Sequence, residues 1–359
     1  VAPVIAMRQP TRKEVVSGAL VAVAASLVSA RGAAQAPALQ ARLVSELDIT
    51  GVATRHKRLF AAVRRKDGAA GPQLVEIVDG SPRPYPDEPW NGWKDGDDAS
   101  QAFVAVSAVR VGQDHALWIV DSGVPESGED RIFGAAKVVR IDLDTNQVTR
   151  VYDLTGVTKA NSALANIRFN GLRAYVADAG WTGIVVLTIE TGETRRVLTQ
   201  EPALVAGRPI LVGGKVLKTG RGRMVETGVS LLEVSPDGDV LYAQPPCGPM
   251  ASIPTRFVDD YHMPAGVLTD EIQPFAATPS SFGTAMDADG ALYLCDVDRS
   301  RLLKVGPKGR VETVFADPRL SGVTALWIDD DGSLLAPAVQ SSGGATLWSY
   351  PLGVQPVRR

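Results

Sequence analysis

Apolar residues recur along the chain in short runs of alternating pattern, separated by polar, glycine-bearing turns, as half-buried strands require. One string repeats: two residues, usually apolar and often aromatic, then a short β-rich stretch. Its copies are Leu59-Phe60-Ala61-Ala62, Leu117-Trp118-Ile119-Val120-Asp121, Ala174-Tyr175-Val176-Ala177-Asp178, Leu241-Tyr242-Ala243-Gln244, Leu292-Tyr293-Leu294-Cys295-Asp296 and Leu334-Leu335-Ala336-Pro337. Five have a turn just before: Asp114-His115, Asn170-Gly171, Asp237-Gly238, Asp289-Gly290 and Asp331-Gly332. Asp-Gly and Asn-Gly supply the positive φ of a tight hairpin.

Further strands follow several copies, at Lys137–Leu143 and Gln147–Tyr152, Gly183–Ile189 and Glu193–Leu198, Arg301–Val305 and Arg310–Phe315. With a strand before each turn, such as Phe103–Val111 or Ala285–Asp287, every unit holds four antiparallel strands. That is the blade of a β-propeller, and six copies predict an all-β, six-bladed β-propeller. No long amphipathic helix pattern follows the N-terminal segment, which disfavours an α/β barrel. The last unit shows only one clear strand after Leu334, Thr346–Tyr350, so Arg42–Leu47 is expected to complete it and close the ring.

Residues 1–36 read as a signal peptide. Met7 is taken as the biological start, followed by Arg8, Arg12 and Lys13, an apolar run from Val15 to about Ala30, and small residues at Ala34 and Ala36. A retained anchor helix is the other reading. The apolar run is short and rich in small residues for a membrane span. Residues 37–359 are expected to form one propeller domain, secreted or periplasmic, free of the membrane once the signal leaves, and monomeric. Cys247 and Cys295 could bridge there or stay as two buried thiols.

Composition narrows the chemistry. Glycine and proline, 35 and 24 of 359 residues, exceed the usual share and suit many turns. The formal charge of −3 moves to about −6 without residues 1–36. Neither value suits a nucleic-acid binder, so none is expected as a partner. Two cysteines exclude a disulfide scaffold and a four-thiolate zinc site.

Pro84-Tyr85-Pro86-Asp87 with Trp90-Asn91, Leu117–Gly123, Ala174–Gly180, Glu233–Gly238 and Ala325–Gly332 together resemble the major royal jelly/yellow protein family. The last two strings resemble its bacterial branch, which is described as related to L-dopachrome tautomerase. The resemblance spans roughly residues 43–340 and implies a six-bladed propeller. It does not fix an activity, since fold does not imply function. Related six-bladed hydrolases of the gluconolactonase/regucalcin-like and paraoxonase-like groups hold a divalent metal at the channel mouth. At the corresponding places this chain has Thr50, Ala165-Asn166 and Ser281-Phe282-Gly283. Two of three expected ligands are missing, so no cofactor or metal is expected, with Ca2+ the one candidate.

The ligand is expected where the inner strands begin. Asp121, Asp178 and Asp296 end equivalent strands and either converge there or cap turns through their own backbone. Asn166 is a further candidate. Tyr85, Trp90, Trp93 and Trp181 sit in loops, either as an aromatic wall for an amine, indole or sugar, or as a lid folded on its own blade. His262, in Asp259-Asp260-Tyr261-His262, is the weak candidate for a general base. His56 and His115 have no nucleophile nearby, and the basic loop Lys218–Arg223 could hold an anion. Together these lead to a propeller that binds a small aromatic or amine ligand at its channel mouth. The alternative is an enzyme of lactonase-like or tautomerase type on a small cyclic or aromatic substrate.

Overall fold

A computed structural model describes residues 38–65, 71–125, 131–219, 222–225 and 227–357. The segment read as a signal lies outside them.

Among the described residues, six four-stranded antiparallel sheets are present, each a blade. The inner strands are Asp48–Arg55, Val106–Val111, Leu164–Asn170, Leu231–Val234, Thr284–Met286 and Trp327–Ile328. The second strands, Arg58–Arg64, Leu117–Asp121, Arg173–Asp178, Val240–Gln244, Leu292–Asp296 and Ser333–Val339, contain the repeated string. Blade six takes its outermost strand, Gln40–Ser45, from the start of the domain, paired to Ala345–Pro351. The closing strand thus falls two residues earlier than expected. It joins the beginning of the fold to its end, so the ring cannot open without breaking this ladder.

The repeated string has a packing reason. The second residues of its copies, Phe60, Trp118, Tyr175, Tyr242, Tyr293 and Leu335, each lie in a different one of six apolar clusters. Trp118, for example, stacks on Tyr152 of its own blade and tilts against Phe169 of the next, with centroids 5.7 and 5.1 Å apart. Each such aromatic pair adds about 0.5–1.5 kcal/mol beyond area burial. A blade alone would expose these faces, and stacking around a ring buries all of them.

The turns join inner to second strands. Gly332 takes φ +79° and its N–H closes the turn on Asp329 O, as a glycine is needed to do cheaply. The first turn, His56-Lys57, has no glycine, and both residues adopt left-handed φ of 47° and 69°. Blades five and six meet closely at Gly283, where any Cβ would overlap the Ala325 backbone. Bulges interrupt the inner strands of blades one to three between Ile49 and Gly51, Val106 and Ala108, and Leu164 and Asn166. The described helices are short, and none is long and apolar enough to cross a membrane.

Cys247 and Cys295 are both buried free thiols, so the bridging alternative is not realised. Burial, reinforced by Asp296, pushes the Cys295 thiol up to about 12.

Candidate functional site

The register places one residue of each inner strand opposite the second residue of the repeated string. These are Ala53, Arg110, Arg168, Glu233, Ala285 and Trp327. Four of six blades therefore carry a large polar or aromatic group at one level of the channel. Two carry alanine, which leaves space.

Arg168 and Glu233 pair across blades three and four. Nε donates to one carboxylate oxygen at 2.9 Å and Nη2 to the other at 2.6 Å, with both side chains over nine-tenths buried. Nη1 of Arg168 also donates to Asn166 Oδ1 at 2.5 Å. Burial would raise the Glu233 carboxyl, but Arg168, with smaller help from Arg110 and Thr284, outweighs it and holds the group below the ordinary glutamate range.

Arg110 reaches across the channel from blade two. Its guanidinium donates to Thr284 O of blade five at 3.3 Å and Leu326 O before blade six at 3.5 Å. It lies 5.5 Å from the centroid of the Trp327 ring. That ring is fixed in turn: Nε1 donates to Thr54 Oγ1 at 2.8 Å, and Thr54 donates to Asp329 at 2.7 Å. Among the described residues Arg110 makes no ion pair, since both oxygens of Glu233 engage Arg168. Its side chain is partly exposed inside the channel. Burial pushes the guanidinium down to about 9, the Arg168 cation adds to this, and Glu233 opposes it. It remains cationic at neutral pH.

Arg110 lines two cavities, one towards each mouth of the channel. The smaller, about 160 Å3, lies where the inner strands begin, the mouth expected to hold the ligand. Thr50, Ala165, Asn166, Phe282 and Gly283 do converge there, joined by Ser107, Ser230 and Thr324. The bulges aim Thr50, Ser107 and Ala165 into it. Among the described residues the lining contains one amide and several hydroxyls but no carboxylate, a donor set that does not fit a hard divalent cation such as Ca2+. The larger cavity, about 660 Å3, opens at the opposite mouth, among the turns between inner and second strands. His56 and His115 come to it on two of those turns, and Val357 near the C-terminus forms part of its wall.

Most residues singled out from sequence lie elsewhere. Asp121, Asp178 and Asp296 are fully buried and do not converge. Asp121 accepts from the Val104, Ala105 and Gly123 N–H groups and from Lys137 Nζ at 2.8 Å. Asp178 accepts from the Ala163, Gly180 and Trp181 N–H groups and pairs with Arg196. Asp296 accepts from the Arg299 N–H and pairs with Arg301. Each binds a loop to its own blade, as the turn-capping reading had it.

Trp90 is buried against Phe103 on the helix Glu88–Asn91, with its N–H capped by Asp87. Tyr85 packs on Phe60, and Trp93 donates to Asp97 O. The proline-rich loop is therefore a lid on its own blade. Trp181 is half-buried beneath the Arg196 guanidinium, 4.0 Å from its centroid, and lines neither cavity. His262 sits on an exposed insertion of blade four beside Tyr261, also away from both. In the basic loop, Gly220 and Arg221 fall outside the described residues.

Arg110, Arg168, Glu233 and Trp327 were not singled out by sequence. Their signal was present: a charge inside an otherwise apolar inner strand, as in Val-Ser-Ala-Val-Arg-Val over 106–111. A buried strand admits a charge only where something inside the ring meets it.

Solved structures share the ring. A gluconolactonase of Xanthomonas campestris is 14% identical, covers 88% of this chain and 89% of its own, and has a TM-score of 0.54. A luciferin-regenerating enzyme is 12% identical, with 89% and 97% covered and a TM-score of 0.53. Virginiamycin B lyase of Staphylococcus aureus is 14% identical, with 88% of each chain covered and a TM-score of 0.50. At such identities the likeness is one of fold. No curated protein matches the sequence. The sequence profile of the major royal jelly protein family matches residues 104–334, from the approach to blade two into the second strand of blade six, and on that extent the chain belongs to this family.

Proposed function

We propose that this protein binds a small molecule in the 660 Å3 cavity at the hairpin-turn mouth of the channel. One observation carries the reading. The cavity is of the size that encloses a small organic ligand, and it combines an apolar wall with a cation lacking an acidic partner. The amine preference expected from sequence loses support, since the aspartates meant to attract a cation are each paired within their own blade.

We further propose that the protein works outside the cytoplasm, exported by the segment read at residues 1–36. N-terminal sequencing of the secreted or periplasmic fraction tests this.

Titration calorimetry against a chemically broad panel of small anions, neutrals and amines tests binding. Saturable binding that is lost on filling the cavity with Ala285→Trp is expected. No binding by any member would remove the reading.

A second reading has one observation in its favour: His56 and His115 both line this cavity, on left-handed turns. Strained backbone of this kind gathers at functional sites. A tautomerase needs a group to take a proton and one to return it, and two imidazoles supply both. Loss of dopachrome turnover in His56→Ala or His115→Ala, with binding retained, would support it. Absence of turnover in the wild type would end it.

A further inference from the structure

Two guanidinium groups and one carboxylate meet at the channel waist, leaving one positive charge in excess. Arg168 and Glu233 neutralise each other through two hydrogen bonds. Arg110 has two long bonds to carbonyl oxygens and the face of an indole. A charge largely desolvated in a channel and without an ion-pair partner is costly, and a ligand or substrate that supplies the counter-charge relieves that cost. Two carbonyl contacts leave N–H donors of the five-donor fork free, and that fork matches a carboxylate in a two-bond arrangement.

The surroundings set the rest of the ligand. Trp327 holds one side of Arg110, and its indole cannot swing away because Thr54 and Asp329 hold it. Phe169, Val234 and Met286 give the wall an apolar surface, while Arg55, His56 and His115 line the same cavity. Among the described residues Asp330 is the one acidic residue in the lining besides the paired Glu233. One excess cation at the floor balances a monoanion. A phosphate ester, with a charge near −2, would need a second.

We propose that the cavity binds a monocarboxylate with an apolar or aromatic body, its carboxylate seated on Arg110 and its body against Trp327 and Phe169. The proposal rests on the reading that this cavity binds small molecules, and it names the class of ligand. Arg110 therefore acts as the anchor, while the Arg168–Glu233 pair walls off the channel beneath it.

Four probes of similar body separate the possibilities: 3-phenylpropanoate, 3-phenylpropanamide, 3-phenylpropylamine and phenyl phosphate. Calorimetry on the wild-type domain is expected to show 3-phenylpropanoate binding most tightly of the four. Arg110→Met should weaken it by about thirtyfold or more, as loss of one partner of a buried charge pair does. Arg110→Lys should keep part of the affinity and serves where Arg110→Met fails to fold, which its unliganded melting curve reveals. Tighter binding of the amide or amine would overturn the anion assignment while leaving the cavity's binding role standing. Tighter binding of phenyl phosphate would overturn the monoanion. Binding of none of the four, in a protein that also binds nothing from the broad panel, would sink both.

Discussion

Glu233 of blade four holds Arg168 of blade three through both carboxylate oxygens, at 2.9 and 2.6 Å, inside the channel wall. The consequence reaches Arg110. Thr284 O accepts from both guanidiniums at 3.3 Å, so the two cations share an acceptor across the channel. The carboxylate that could have neutralised Arg110 instead fixes its neighbour.

Glu233→Gln is expected to destabilise the fold by about 3–5 kcal/mol, because it leaves Arg168 buried without its counter-charge. Adding Arg168→Met should recover much of the loss. Urea denaturation of the single and double variants measures both. A loss below about 1 kcal/mol in the single variant would show that the bridge contributes little.

The same pair predicts acid sensitivity. Folding lowers the Glu233 carboxyl below its ordinary value of 4.5, through Arg168 and against the effect of burial. A group depressed in the folded state contributes stability that is fully present above the unfolded value. That contribution is lost as pH falls from about 4.5 through the folded value. Asp329, lowered against burial by hydrogen bonds from Thr54 and Arg42, works in the same direction. Urea midpoints taken at pH 7 and at pH 4 and below should fall more steeply in the wild type than in Glu233→Gln.

Binding of 3-phenylpropanoate should have an alkaline limit. Arg110 is held down to about 9 by burial and Arg168, so it loses its charge there first. Affinity is expected to fall by up to about tenfold per pH unit above that value. Around it lie Arg168, Glu233, Arg55, His56, His115 and Asp330, which remain in the Arg110→Lys variant. That variant should move the limit. A profile flat to pH 10.5 in the wild type would show that Arg110 keeps its charge there.

Asp121 is expected to be a stability residue. It neutralises Lys137, whose Nζ donates to it and to the carbonyls of Ala99 and Ala135 in a site with almost no exposure. Asp121→Ala should cost about 3–5 kcal/mol by stranding that ammonium. Lys137→Met in the same chain should restore part of it, and a double-mutant cycle reads the coupling. Ligand affinity in any folded variant should be unchanged.

Native Cys247 and Cys295 should resist iodoacetamide, and both should react after unfolding in guanidinium. Both are buried, and Cys295 is pushed up to about 12, so little reactive thiolate forms. Reductant should leave the melting temperature unmoved. A drop in melting temperature with reductant would reveal a bridge.

The sequence by itself determined the blades. Alternation, Asp-Gly and Asn-Gly turns, and the repeated string are local signals, and a hairpin forms from residues close in the chain. Closure was legible too, because the last unit visibly lacked a strand, although Gln40–Ser45 fills the place two residues before the expected segment. The Asp residues ending second strands were legible as residues with a purpose, but that purpose is to hold loops. What only the tertiary structure decided is the site. Arg110, Arg168, Glu233 and Trp327 come from four blades, and nothing local marks which charge meets which across a ring. Whether a charge is paired or free depends on neighbours that chain closure alone brings together. For that reason the ligand mouth, the unpaired Arg110 and the locked Glu233 became visible only in the folded ring.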